Sequence, residues 1–163
     1  MDFSIHSITT LSSLLLTGLA AGLCFTWANA VTPGIGRLSD LNYLQAFQEM
    51  NRAIINPLFL IVFFGPFLSH AVHLFFYWNE PGPIKGILLL AAISYLAGVL
   101  FVTIFGNVPL NEILERTDLQ KASSSELKAL RLSFEAKWNA YHQIRTAGSL
   151  LSFILLILAI LLD

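Results

Sequence analysis

Four stretches without a charged residue constrain the fold of this chain more than any other feature. A transmembrane helix needs about 20 apolar residues, with about 17 as the lower limit. None of the stretches shows the two-residue alternation of a membrane β-barrel strand. The sequence therefore predicts an all-α integral membrane protein, an up-down-up-down four-helix bundle forming a single domain over residues 1–163. The charge-free stretches are 3–36, 53–79, 86–111 and 146–162, and the predicted spans are 9–31, 53–78, 85–107 and 146–162.

The composition supports lipid as the solvent of this chain. Of its 163 residues, 56% are hydrophobic and only 12% are charged, against about 25% charged in soluble domains. The net charge of −1 gives no field that would attract nucleic acid. The predicted partners are the bilayer and a lipophilic small molecule. The single cysteine, Cys24, excludes an internal disulfide.

The first apolar stretch has one alternative interpretation. Ala28-Asn29-Ala30 has the form of a signal-peptidase site. However, the first ten residues contain no Lys or Arg, and the apolar stretch exceeds the usual ~7–15 residues of a signal peptide. We therefore expect the first helix to be retained.

The positive charges predict the orientation in a cell membrane. Lys85 is the one basic residue on the predicted face that carries the termini, and the other eight of nine lie within 32–52 and 112–145. Because retained positive charge marks the cytoplasmic side, we expect both long connections to be cytoplasmic and both termini to be outside.

Both long connections carry helix signals, which predict amphipathic helical extensions at the cytoplasmic end. Pro33 and Gly34 are expected to end the first helix, and Ser39-Asp40 offers an N-cap for a helix starting near Leu41. Ser123 and Glu126 form a capping box, from which a helix could run to Leu162. Such a helix would be ~60 Å long, about twice the membrane core.

Polar residues gather where several predicted helices reach that same end. Trp138, His142 and Arg145 share one face of the fourth helix, because residues three or four apart are neighbours. Such residues can be interfacial anchors or interhelical contacts, but ionisable groups facing a bundle favour a binding pocket. We predict a site in which His142 and Arg145 are catalytic and the substrate is bound by Arg52, Asn56, Asn107, Asn111 and Trp138.

Three short motifs carry a resemblance to a known family. They are N-R-x-x-x-N-P at 51–57, N-x-P-x-N at 107–111 and W-x-x-x-H-x-x-R at 138–145. In this order the sequence resembles the anthrone oxygenase-like family of small four-helix membrane proteins. The resemblance implies oxidation of an anthrone to an anthraquinone by molecular oxygen.

The predicted residues are suited to that chemistry. His142 is the best candidate base, because a neutral imidazole titrates near working pH. Arg52 or Arg145, with the two asparagines of the second motif, could stabilise an oxyanion, and Trp138 could stack on the rings. The hypothesis is an oxygenase that needs neither metal nor flavin and acts on a lipophilic phenolic, anthrone-type or quinol substrate with O2 as co-substrate.

Two alternatives stay open at this point. His70 and His73, with His6, could ligate copper, iron or haem at the opposite end, although no Cys or carboxylate joins them; no metal is predicted at the site itself. The second alternative is a non-enzymatic membrane protein that binds a quinone, a lipid or a partner helix in the same pocket.

Overall fold

The computed structural model describes residues 5–79 and 83–162, apart from the side chain of His6. The described part of the chain is helical and contains no strand, so the predicted all-α class is confirmed. Seven α-helices are joined in places by wider, π-helical segments. The α-helices are α1 (Ile5–Thr26), α2 (Thr32–Ile35), α3 (Asp40–Ile54), α4 (Pro57–Tyr77), α5 (Ile84–Tyr95), α6 (Val108–Glu115) and α7 (Ser124–Leu162); the π-helical segments are Trp27–Val31, Leu96–Phe101 and Thr103–Asn107.

Four continuous helical stretches of the described chain are long and apolar enough to cross a membrane. They are span 1 (Ser7–Ile35), span 2 (Pro57–Tyr77), span 3 (Ile84–Glu115) and span 4 (Ser124–Leu162). Spans 3 and 4 extend well beyond their charge-free stretches, because the helices continue into the polar connections. The predicted capping box begins span 4: the Ser123 backbone N–H donates to the Glu126 carboxylate at 2.8 Å, and the Glu126 N–H donates to the Ser123 hydroxyl at 3.4 Å.

The end of span 1 differs from the prediction. Pro33 and Gly34 were expected to break the helix, but helical structure continues to Ile35. The reason is that Pro33 lies in the first turn of α2, where a missing N–H costs little, directly after the π-helical segment Trp27–Val31. The Thr32 hydroxyl also donates to the Trp27 carbonyl at 3.2 Å.

The spans pack in a ring in which span 1 contacts spans 2 and 4, and span 3 contacts the same two. Neighbouring spans are antiparallel. Between spans 1 and 4, for example, Gly18 lies against Phe153, whereas the Cys24 carbonyl accepts a hydrogen bond from His142. As the residue number rises on one span it falls on its neighbour, which is the up-down-up-down order that was predicted.

Helix α3 packs at one end of the spans, called the α3 end from here on. Its N-cap is Ser39, as predicted, and its apolar side packs in one cluster with residues of span 3, span 4 and the loop between them. The cluster contains Tyr43, Leu44, Phe47, Leu114, Leu119, Leu127, Phe134 and Trp138. Arg131 fixes the preceding loop by donating to the Gly36 carbonyl at 2.7 Å and the Leu38 carbonyl at 2.8 Å.

Candidate functional site

A cavity of about 590 Å³ lies at the α3 end of the spans. This volume is in the range of pockets that hold drug-sized ligands. The walls are mostly apolar and aromatic, with polar side chains concentrated toward α3. Six of the seven predicted site residues line it: Arg52, Asn107, Asn111, Trp138, His142 and Arg145.

Asn56 is the predicted residue that does not line the cavity. Its side chain accepts a hydrogen bond from the Phe59 N–H at 2.9 Å and donates to the Ala53 carbonyl at 3.0 Å. Asn56 therefore joins α3 to α4 as the N-cap of span 2. An Asn directly before a proline is a common helix start. The start of span 2 therefore explains why Asn occurs at this position, and no ligand is needed to explain it.

Both ring nitrogens of buried His142 are engaged. One of them, Nε2, lies 3.1 Å from the Cys24 carbonyl, and Nδ1 lies 2.7 Å from Nη2 of Arg145. A carbonyl can only accept and a guanidinium can only donate, so Nε2 carries the proton and Nδ1 accepts. The lone pair of His142 thus holds Arg145 in place and is not directed at the open cavity.

Arg145 is a buried cation that has no counterion among the described residues. Its other hydrogen bond runs from Nη1 to the Thr103 hydroxyl at 3.2 Å, and its guanidinium lies over the Trp138 ring, 5.4 Å from the ring centroid. Among the described residues, no carboxylate forms an ion pair with it, and its buried Nε has no hydrogen-bond partner. A charge inside a membrane protein is costly unless it is matched, so the cavity is suited to a negatively charged or strongly polarised oxygen.

The cavity also offers an acceptor. The Asn107 amide nitrogen donates to the Trp138 carbonyl at 3.2 Å, but within the described chain its Oδ1 is buried without a partner. Nearby, Asn111 accepts a hydrogen bond from the Trp138 indole at 2.8 Å. Asn111 therefore orients Trp138, whereas the buried Asn107 oxygen is left unpaired within the described chain.

An aromatic group surrounds these polar atoms. Trp138 stacks on His142 with their ring centroids 5.0 Å apart, and Trp27 lies 5.6 Å from Trp138. Phe47 packs edge-on to Trp138 at 4.8 Å. Stacked and edge-on rings at these separations form a stiff apolar wall, which fixes the position of the imidazole.

Arg52 lies at the rim, where its charge is already matched. Its side chain donates to Glu115 at 2.8 Å and to Glu49 at 2.7 Å, and it is half exposed. The Glu115 carboxylate raises the pKa of Arg52 above its usual value, with Glu49 adding to the effect. Of the two predicted arginines, Arg145 is therefore the one that can bind an anionic group without giving up an ion pair.

Several lining residues were not identified from the sequence. Trp27, Val99 and Thr103 come from the π-helical segments, and Cys24 contributes its backbone carbonyl. π-Helical turns are often found at functional sites, because they rotate side chains away from the α-helical register. A pattern search at helical spacing does not find residues that such turns have rotated.

Spans 3 and 4 approach closely beside the cavity. A Cβ atom on Gly148 would lie 2.9 Å from the Gly98 Cα and 3.1 Å from the Ser94 carbonyl oxygen. Small residues at such crossings let two backbones touch. This contact sets the distance between Arg145 on span 4 and Thr103 on span 3.

The histidines of the metal alternative lie at the other end of span 2. The Thr10 hydroxyl lies 2.9 Å from Nε2 of His73. In addition, Nε2 of His70 lies 3.3 Å from the Thr17 hydroxyl and 3.1 Å from that of Ser152. Nε2 of each is thus used in contacts between spans, and the described residues contain no group of three His, Cys, Asp or Glu placed to hold a metal ion. The side chain of His6 lies outside the described part of the chain.

Comparison with known families agrees with the three sequence motifs. The model of the anthrone oxygenase family matches residues 47–155, about two thirds of the chain. The chain belongs to the anthrone oxygenase family. The matched region contains all seven predicted site residues, whereas Cys24 and Trp27 precede it. No curated protein and no solved structure matches the chain.

Proposed function

We propose that this protein binds a lipophilic phenolic molecule of the anthrone type in the cavity at the α3 end and oxidises it with O2. The observation that carries the proposal is a set of three buried polar atoms without partners in the described chain. They are the donors Arg145 Nε and Asn51 Nδ2 and the acceptor Asn107 Oδ1, all on residues that line a largely apolar cavity. Because unpaired buried polar atoms cost about 1–3 kcal/mol each, a ligand that offers both an acceptor oxygen and a hydroxyl donor suits the site.

An anthrone bearing phenolic hydroxyls has these properties. Its rings are flat and apolar, which matches the wall formed by Trp27, Trp138 and Phe63. Its carbonyl oxygen would accept from Arg145, and a hydroxyl would donate to Asn107. The molecule would also dissolve in the bilayer, where this protein is expected to reside.

The reaction converts the central CH2 and one O2 into a carbonyl and one water. Loss of a proton from the CH2 gives an enolate, whose negative charge lies largely on the oxygen next to Arg145. The enolate transfers one electron to O2, and the resulting radical and superoxide combine to form a C–O bond. After the peroxide takes up a proton, the O–O bond and the remaining C–H bond break, which leaves the carbonyl and releases water. We propose that neither a metal nor a flavin is needed, because the enolate itself is the reductant.

Arg145 and His142 act as a pair in this scheme. Arg145 stabilises the enolate oxygen, a contribution worth about 10²–10³ in rate at comparable sites. His142 holds Arg145 through Nδ1 at 2.7 Å before the substrate binds. When the substrate oxygen attracts the guanidinium, that lone pair is released and can take the proton, which it later returns to the peroxide.

A binding function without chemistry is the second candidate. It is favoured by the direction of the His142 lone pair, which points to Arg145 and leaves no unengaged base in the predicted catalytic pair. In that case the same cavity would hold a quinone or a lipid-soluble phenol for another membrane protein.

Oxygen uptake by the purified protein separates the two candidates. Metal-chelated, flavin-free protein should consume O2 with an emodin-type anthrone and form the anthraquinone, which is followed by its visible absorbance. Arg145→Met should lower the rate about 10²–10³-fold and His142→Gln by a similar factor, whereas Arg116→Gln on the exposed surface should have no effect. Tight binding of anthraquinone without oxygen uptake would favour the binding protein, and the absence of both would refute the proposal.

A further inference from the structure

The cavity has one side on which spans of the described chain do not close against each other. Span 2 and span 3 are in contact where Tyr77 packs with Leu88, and again where the Tyr95 hydroxyl donates to the Phe63 carbonyl at 2.9 Å. Beyond this point, toward α3, both spans contribute residues to the cavity wall. The two helices therefore form the two sides of an opening that lies between Tyr95 and α3.

The residues on both sides of this opening are apolar and accessible. On the span 2 side, Ile55 is 73% exposed and Phe64 is 42% exposed. On the span 3 side, Ile104 is 41% and Val108 is 38% exposed. All four also line the cavity, so they lie between its interior and the surroundings of the protein. In a membrane those surroundings are lipid tails.

The side that faces α3 is bounded by polar and charged side chains that contact one another. The Gln48 side chain of α3 donates to the Leu114 and Thr117 carbonyls at 2.8 and 3.1 Å. The ion pair between Arg52 and Glu115 joins the same two elements nearer the rim. Next to these contacts, the fully buried Phe47 side chain packs in the apolar cluster that joins α3 to spans 3 and 4. A lipophilic molecule coming from water would have to pass the charged Arg52, Glu112 and Glu115 side chains, which line the cavity and are partly exposed, to reach Arg145.

We infer that the ligand enters the cavity sideways from the bilayer, through the opening between spans 2 and 3 in the half of the membrane next to α3. The inference rests on the proposed function for the nature of the ligand, a flat lipophilic molecule. Such a molecule concentrates among lipid tails, and the opening admits it to Trp138 and Arg145 without passage through water. The Ile104 and Val108 side chains form one edge of the opening and limit the size of what enters.

The three tryptophans of the chain give a test that does not depend on turnover. Trp27 and Trp138 line the cavity, whereas Trp78 is exposed at the end of span 2. In a Trp78→Phe background, fluorescence therefore reports on the cavity alone. The protein is placed in lipid nanodiscs, and anthraquinone is delivered from donor vesicles as a lipid-soluble quencher. Iodide serves as a quencher confined to water.

Quenching by anthraquinone should be slowed about tenfold when the opening is filled by Ile104→Phe combined with Val108→Phe. Ile93→Phe is the matched control, because Ile93 lies on the same helical stretch, is 50% exposed and does not line the cavity; it should leave the rate unchanged. Iodide should not quench either tryptophan. The inference would be overturned if the filled opening left the anthraquinone rate unchanged, if Glu115→Gln alone accelerated it, or if anthraquinone never reached the tryptophans.

This test separates the route from the reaction. If the filled opening slows quenching but no anthrone is oxidised, the route stands as the entrance of a binding protein and the oxygenase proposal fails. If anthraquinone quenches at the same rate with the opening filled while anthrones are still oxidised, the oxygenase proposal stands and the lateral route fails.

Discussion

The contact between Gly98 and Gly148 makes a quantitative prediction about how the site is held. In Gly148→Ala, the new Cβ would lie 2.9 Å from the Gly98 Cα, whereas carbon atoms prefer 3.5–4.0 Å. Spans 3 and 4 would have to separate by about 0.6–1 Å to restore that distance. The atoms that obstruct the Cβ belong to the backbone, so a rotamer change cannot relieve the contact.

The separation affects both stability and ligand binding. Overpacking costs about 1–3 kcal/mol, from which about 0.5–1 kcal/mol is recovered because Ala favours a helix more than Gly. We expect a net loss of up to about 2.5 kcal/mol, and of about 1 kcal/mol at the midpoints of the two ranges. The hydrogen bond from Arg145 to Thr103, now 3.2 Å, would stretch to about 4 Å and be lost.

Gly22→Ala is the matched control, since a Cβ at Gly22 meets nothing within 4 Å. It should stabilise span 1 by about 0.5–1 kcal/mol. The assay is thermal unfolding of both variants in one detergent, followed by tryptophan fluorescence, together with anthraquinone binding. If Gly148→Ala proved as stable as Gly22→Ala and bound anthraquinone as tightly as the wild type, the close crossing would not position Arg145.

Three further predictions follow from individual contacts. Arg131→Lys should destabilise the protein by about 2 kcal/mol, because an ammonium cannot reach the Gly36 and Leu38 carbonyls together; unchanged thermal unfolding would contradict the role given to Arg131. His70→Leu should cost about 0.6–2 kcal/mol through lost contacts between spans but leave oxygen uptake per folded molecule intact, and a selective loss of uptake would show that His70 takes part in the reaction. Ser123→Ala should cost about 1 kcal/mol and expose the first turn of α7 to amide hydrogen exchange, whereas unchanged exchange there would mean that the cap is dispensable.

The sequence was sufficient for the features that depend on local patterns. Absence of charge over membrane length predicted the four spans, and the Ser39 and Ser123 caps followed from short-range hydrogen-bonding rules. The clustering of Trp138, His142 and Arg145 with two asparagines of span 3 followed from helical spacing and the antiparallel order.

The remaining features depend on geometry that no local pattern contains. Pro33 was expected to break a helix that in fact continues, and Trp27 was overlooked, because both depend on the π-helical segment Trp27–Val31. Asn56 was assigned to the site because its sequence neighbours are polar, although its role as the helix N-cap before Pro57 explains why Asn occurs there. Likewise, only the contacts of Nδ1 and Nε2 reveal that His142 holds Arg145.

Arg145, which has no ion-pair partner among the described residues, is proposed to offer its positive charge to an oxygen anion in an apolar cavity. The most direct test is a spectrophotometric titration of a hydroxyanthraquinone bound to the purified protein, because its phenolate absorbs at longer wavelength than the phenol. Binding to the wild type should lower the apparent pKa of the dye by at least about one unit, equivalent to about 1.4 kcal/mol, and Arg145→Met should remove this shift. If the bound dye ionises at the same pH in wild type and Arg145→Met, or at a higher pH than in solution, the cavity does not stabilise an anion and the claim is wrong.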